Sequence, residues 1–232
     1  MRTILLKLSG EALSGDRGFG FDEAVCLDLS RQIKVLSDRG VRIAIVTGGG
    51  NYWRGRNSSK IIERTHSDSI GMMGTIMNCI YMSEILRTQG MKTEVFTPFI
   101  CGGFTKQFSR DEALKCLDEG KVIFCAGGTG HPYFSTDSGT ALMALQLSVD
   151  CILLGKSIDG IYSGDPKTDP TAVKYDRLPY SEIIEKHLNA VDISMAIMCN
   201  DNKVPMKVFG LDEEDAIIKA FDDDAYGTVV YA

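Results

Sequence analysis

Three consecutive glycines, Gly48, Gly49 and Gly50, close the apolar run Val41 to Val46, and Arg54 and Arg56 follow within a few residues. Removing every β-carbon from a turn lets backbone N–H groups converge on an oxyanion, and guanidinium groups neutralise charge that amides only orient. The chemistry this suggests is phosphate binding, although a tight strand-to-helix turn with a solvated basic loop would use the same residues. Lys7 is a second cation, set inside the apolar run Ile4 to Leu8 just before Ser9-Gly10-Glu11. It reads either as a phosphate ligand or as an edge-strand lysine snorkelling to water. A long glycine-rich loop, Gly127 to Ser138, closes with Ser135-Thr136-Asp137, where a helix start is either simply capped or receives an anion or nucleoside.

Two familiar phosphate motifs are absent. Gly155-Lys156-Ser157 has the tail of a P-loop, but Asp150 stands where that motif needs glycine. The glycine triplet lacks the dinucleotide fingerprint, because position 53 is Trp53.

The elements that must hold these residues alternate. Strand-like runs are Ile4 to Leu8, Val41 to Val46, Thr93 to Thr97, Val122 to Ala126, Cys151 to Leu154, Pro205 to Phe209 and Thr228 to Tyr231. Helix-like stretches lie between them: Asp22 to Asp38, Asp68 to Thr88, Arg110 to Glu119, Asp137 to Leu147, Ser181 to Lys186 and Asp215 to Phe221. The alternation predicts an α/β protein, a mainly parallel sheet covered on both faces, with ligands beyond the carboxyl ends of its strands. With 232 residues, 44% hydrophobic, and no linker or repeat, one domain spanning 1–232 is expected.

A net charge of −6 argues against nucleic acid as the main partner. Seven cysteines without a Cys-x-x-Cys pair fit neither a disulfide framework nor a zinc site and suggest reduced thiols. No run approaches the roughly 18 apolar residues of a membrane span. The expectation is a cytoplasmic protein without membrane or nucleic-acid partners.

Taken together, Lys7 to Leu13, Gly48 to Gly55, Asp68 with Gly71-Met72-Met73, Thr129 to Asp137, Asp159 to Pro166 and Asp201 to Pro205 resemble the bacterial uridylate kinases of the amino acid kinase family. The resemblance spans almost the whole chain. It implies a three-layer αβα sandwich with a UMP side in the N-terminal part and an ATP side from about residue 150 onward. It also implies ATP + UMP giving ADP + UDP with magnesium, as a step of pyrimidine nucleotide synthesis, without a tightly held protein-ligated metal. Phosphoryl transfer asks a protein mainly for positioning and cations.

By this resemblance Lys7 bridges donor and acceptor phosphates, Asp137 orients it, and Arg54 approaches ATP. Lys7, Leu8, Ser9, Gly10, Gly50, Arg54, Lys156, Ser157, Tyr162 and Asp165 fall on the ATP side. Gly49, Asp68 and the loop Thr129, Gly130, His131, Pro132, Tyr133, Phe134, Ser135 and Thr136 fall on the UMP side, with Asp68 receiving the ribose hydroxyls. Asp68 otherwise reads as a charge at the start of the long helix. The segment Gly15, Asp16, Arg17, Gly18, Phe19 and Gly20 reads as a flexible loop, and the resemblance gives it a part in GTP activation, with UTP as inhibitor and a hexameric assembly.

The chain departs from the family pattern at His131, where asparagine is common, at Gly155-Lys156-Ser157, and at Gly139-Thr140, which would loosen a helix start. Two other readings stay open: an amino acid kinase acting on a carboxylate or carbamate, and a non-catalytic nucleotide-binding or storage protein on the same fold.

Overall fold

The computed structural model describes residues 2–53, 61–188 and 191–232. The chain opens with β1 (Thr3–Leu8), α1 (Gly10–Ser14), a 3-10 turn (Gly15–Arg17), α2 (Glu23–Asp38), β2 (Arg42–Thr47) and the long α3 (Arg64–Thr88). It continues through β3 (Thr93–Thr97), β4 (Lys106–Gln107), α4 (Arg110–Asp118), β5 (Val122–Cys125), α5 (Thr136–Gln146) and β6 (Cys151–Lys156). A small antiparallel arm follows, β7 (Ile161–Tyr162) with β8 (Lys174–Tyr175). The chain ends with β9 (Arg177–Pro179), α6 (Tyr180–Glu185), α7 (Ile193–Asp201), β10 (Met206–Gly210), α8 (Ala216–Asp222) and β11 (Thr228–Tyr231).

Among the described residues the main sheet has nine strands in the order β4-β3-β5-β2-β1-β6-β10-β11-β9, parallel except where β11 meets β10. Side chains alternate across the pleat, so each strand feeds two cores. Leu5, Ala44, Ile152 and Val208 pack with α4, α5, α6 and α7, whereas Ile4, Ile43, Leu153 and Phe209 pack with α2, α3 and α8. The expected three layers are present.

Some expectations change. The long helix begins four residues before Asp68, at Arg64, so Asp68 sits in its second turn rather than at its start. Gly15 to Arg17 forms a 3-10 turn rather than a flexible loop, and Gly20 is paired to Asn51 through the backbone. The fifth strand-like run extends through Lys156, and a β-carbon on Gly155 would lie 2.9 Å from the Leu211 side chain, which would have to shift.

From β1 the chain first builds toward β2, β3 and β5, and later returns to the other side of β1 with β6 and β10. The strand order reverses at β1, and the crevice beyond the carboxyl end of such a strand is where open parallel sheets bind ligands. The residue at that point is Lys7.

Candidate functional site

The pleat places two lysines on one face. Leu5 faces α5 and Lys7 follows it by two residues; Ile152 and Leu154 face the same layer and Lys156 follows them by the same rule. Lys7 pairs in register with Leu154, so Lys156 lies one pleat farther toward the carboxyl end. Since β1 is central and Lys7 only 9% exposed, the edge-lysine reading is excluded.

Above them begins α5. Ser135 caps it, its Oγ accepting the Ser138 N–H at 3.1 Å, and Asp137 in the first turn brings Oδ1 to 3.2 Å from the Lys7 Nζ. Burial alone would raise the Asp137 carboxyl, but Lys7, Lys156 and a bond from the Asp192 backbone outweigh it and hold the group below its ordinary range. The same burial lowers the Lys156 ammonium, with Asp137 opposing the shift and Lys7 adding to it. The result is two ammonium groups around one carboxylate, which keeps both cations in place while leaving net positive charge for a polyanion.

Below the lysines the glycine turn leaves no room for side chains. A β-carbon on Gly10 would lie 2.5 Å from Asn51 Oδ1 and 2.7 Å from the Gly48 carbonyl, and one on Gly49 would lie 2.6 Å from the Gly71 carbonyl of α3. The turn is therefore pressed against both α1 and α3. The N–H groups of Gly49 and Gly50 meet no acceptor among the described residues. Such amides beside a lysine make an anion cradle.

A cavity of about 530 Å³ is lined by Lys7, the glycine turn, Asp68, Thr129, His131, Tyr133, Phe134, Ser135 and Thr136. Asp68 Oδ2 accepts Arg64 Nε at 2.9 Å and the Tyr133 N–H at 2.8 Å, while the Arg64 guanidinium lies 5.2 Å from the Tyr133 ring centroid. The acid thus ties the 129–136 loop to α3 and holds Tyr133 at a left-handed φ of 71°. Thr75 Oγ1 accepts the Gly127 N–H at 2.8 Å, a second tie between α3 and the loop. Gly139 does not loosen α5: a β-carbon there would lie 3.2 Å from Gly128, so the glycine lets the loop approach the helix.

On the other side a cavity of about 560 Å³ is lined by Asp137, Lys156, His187, Asp192 and the start of α7. A further cavity of about 800 Å³ is lined by Ser9, Lys156, Ser157, Leu211 and several acids, among them Asp16. Ser135 and Asp192 border the first two cavities, Lys156 the last two, and Ser9 the first and third. One trough therefore passes the Lys7–Asp137 pair.

The sequence-based candidates do not all converge. Leu8 is wholly buried and its carbonyl accepts the Gly48 N–H, so its side chain reaches no ligand. Gly130 and Pro132 belong to the loop but line none of these cavities, and neither do Tyr162 and Asp165. Tyr162 donates to Asp159, and Asp165 accepts the Lys167 N–H in a turn. Arg54 lies outside the described residues. Sequence reasoning missed Arg64, Thr75 and Asp192. Arg64 precedes Asp68 by one helical turn, and Asp192 before Ile193 is an N-cap signal, its Oδ1 accepting the Ser194 N–H at 3.0 Å.

The amino acid kinase family model matches residues 2–210. A uridylate kinase of Limosilactobacillus reuteri (strain DSM 20016) is 40% identical over 231 residues, covering 99% of this chain and 96% of that protein. The crystal structure of UMP kinase from Bacillus anthracis superposes with a TM-score of 0.95 at 28% identity, covering 99% of this chain and 96% of that one. That of UMP kinase from Ureaplasma parvum gives 0.94 at 30% identity, covering 100% and 99%.

Proposed function

The chain belongs to the amino acid kinase family, its full-length likeness to uridylate kinases makes it a UMP kinase, and we propose that the trough past Lys7 is where ATP and UMP meet. The reaction is ATP + UMP giving ADP + UDP, which supplies pyrimidine nucleotide synthesis. The observation that carries the site assignment is the Lys7–Asp137 pair at 3.2 Å, set between the two sides of the trough and beside the Gly49 and Gly50 amides, which meet no acceptor among the described residues.

In this reading the UMP phosphate rests on the Gly49 N–H, with its ribose toward Asp68 and its base under the 129–136 loop. The donor phosphates lie against Ser9, Gly50, Lys156 and Ser157. The attacking oxygen of UMP is already ionised, so no general base is needed, and the protein's contribution is alignment and positive charge. Lys7 neutralises charge that develops on the migrating group, and Asp137 keeps its ammonium pointed there. Arg54, Tyr162 and Asp165 complete the ATP side on the strength of the family likeness.

Among the described residues no three acidic, histidine or cysteine side chains converge on one point. Magnesium as Mg-ATP, held mostly by phosphate oxygens and water and neutralising the donor phosphates, rests on the family likeness.

We carry a single domain, with its UMP side first and its ATP side from about residue 150, on the same footing. An assembly of several copies is supported by the exposed stripe Ile70, Met73, Met77 and Ile80 along α3; a hexamer, GTP activation through Gly15 to Gly20 and UTP inhibition rest on family likeness. Cytoplasmic placement is supported by seven free thiols. The test is coupled ADP release from Mg-ATP with UMP, CMP, dTMP, acetylglutamate or carbamate as acceptor, beside Lys7→Ala. UMP-selective turnover that the variant loses is expected. Turnover on a carboxylate, or nucleotide binding without turnover, would overturn the acceptor or the activity.

A further inference from the structure

A turn of three glycines is permissive, and something must decide which way its peptides face. Asn51 and Asn78 do so from the interior. Asn51 is 1% exposed and Asn78 wholly buried, and their amides bond reciprocally: Asn51 Nδ2 donates to Asn78 Oδ1 at 3.0 Å, and Asn78 Nδ2 donates to Asn51 Oδ1 at 2.8 Å. Each has one more N–H. That of Asn78 goes to the Gly48 carbonyl at 2.6 Å, and that of Asn51 to the Gly20 carbonyl at 2.8 Å. The two outer acceptors are carbonyls, so only the amide nitrogens can face them, which fixes the orientation of both side chains.

The consequence follows from peptide planarity. In a trans peptide the C=O of Gly48 and the N–H of Gly49 point to opposite sides. Holding the carbonyl on Asn78 turns the Gly49 N–H away from α3, and that N–H meets no acceptor among the described residues. We propose that Asn78, braced by Asn51, is a positioning residue for phosphoryl transfer: it aims the Gly49 N–H at the acceptor phosphate without touching the substrate. This rests on the reading of the 530 Å³ cavity as the UMP site. Because Asn51 also receives Gly20 through a side-chain and a backbone bond, the Gly15 to Gly20 segment leans on the same brace.

The test separates aiming from packing. Replacing one partner leaves a buried amide unpaired, whereas replacing both by apolar groups of similar size removes most of that penalty. Asn51→Leu and Asn78→Leu alone are expected to lower Tm, and the double variant to recover the part due to the unpaired amide, the Gly48 and Gly20 carbonyls still lacking these donors. Its kcat/KM for UMP is nevertheless expected to stay about tenfold or more below wild type, the order lost when a preorganised donor is misdirected. Uridine, which lacks the phosphate, is expected to compete as well as before. Recovery of kcat/KM together with Tm, or equal loss of uridine affinity, would overturn the proposal.

If the leucine variants do not fold, Asn78→Asp gives a second readout. A neutral carboxyl can donate to the Gly48 carbonyl and a carboxylate cannot, so its activity relative to wild type is expected to rise as pH falls. A flat ratio would count against aiming. Asp68→Asn, measured in parallel, tests the cavity assignment by itself: an unchanged KM for UMP would remove that assignment, and this inference with it, whatever Asn78 does.

Discussion

Two lysines in the sheet are nearly buried, Lys7 in β1 at 9% exposure and Lys207 in β10 at 5%. Both lie within strands of a mainly parallel sheet, and neither is distinguished by burial. They differ in what they face. Lys207 donates to the Asp223 carbonyl at 2.8 Å, where α8 ends and the helix dipole is negative, with the exposed Asp224 carboxylate 3.6 Å away. Lys7 faces a carboxylate at the positive start of α5, beside amides that meet no acceptor among the described residues. The first ammonium is absorbed by the fold. The second is held in place by Asp137 yet remains available to an incoming anion.

The sharpest break of this comparison is Lys7→Met. It is expected to lower kcat per folded molecule by about a thousandfold, roughly 4 kcal/mol of transition-state stabilisation, beyond whatever Tm is lost with the Asp137 pair. ADP release and a thermal melt on the same sample measure both. Lys207→Met should do the reverse: about 1 kcal/mol of stability lost, or roughly 2–4 °C in Tm for a chain of this size, with activity per folded molecule unchanged. If either variant behaved like the other, the distinction between the two lysines would fail.

The pH dependence sharpens the same contrast. Lys156 is lowered by burial, so it loses its charge before an ordinary lysine would. The high-pH limb of activity is therefore expected below the roughly 10.4 of a free lysine, and Lys156→Arg, which stays charged, is expected to move that limb upward. A limb that did not move would take Lys156 out of the active ionisation.

The smallest effect concerns Asp137, whose carboxyl is held low in the folded protein. Its contribution to stability is present above the unfolded value of about 3.9 and is lost as pH falls through the lower folded value. Lys7→Met removes one of the cations that hold it low, so acid unfolding should begin at a higher pH, visible by far-UV circular dichroism. An unchanged acid midpoint would mean that Lys156 and the Asp192 backbone suffice.

What was legible in the sequence was what local chemistry encodes. β1, β2, β3, β5 and β11 were found because apolar runs of strand length end in glycine or polar residues. Ser135 was legible as a cap because a hydroxyl before a helix satisfies an orphan amide. The missed elements carry weaker signals. In α7, Ile193 to Asp201, apolar residues stand on every side, so no helical period emerges, and β7 and β8 have two residues each. Arg64 escaped notice because the helix was begun at Asp68, one turn too late.

By itself the sequence determined an alternating α/β chain, three glycine-rich strand ends and a lysine near the end of the first strand, because turn chemistry and side-chain period are properties of neighbouring residues. Only the tertiary structure decided that Lys7 is central, that Lys156 stands one pleat beyond its register partner, and that Asp137 closes the pair. It also decided that the Asn51–Asn78 amides lock the glycine turn from behind. These relations join segments far apart in the chain. They are set by strand order, register and helix docking, which bury apolar faces cooperatively and leave no local trace at any one residue.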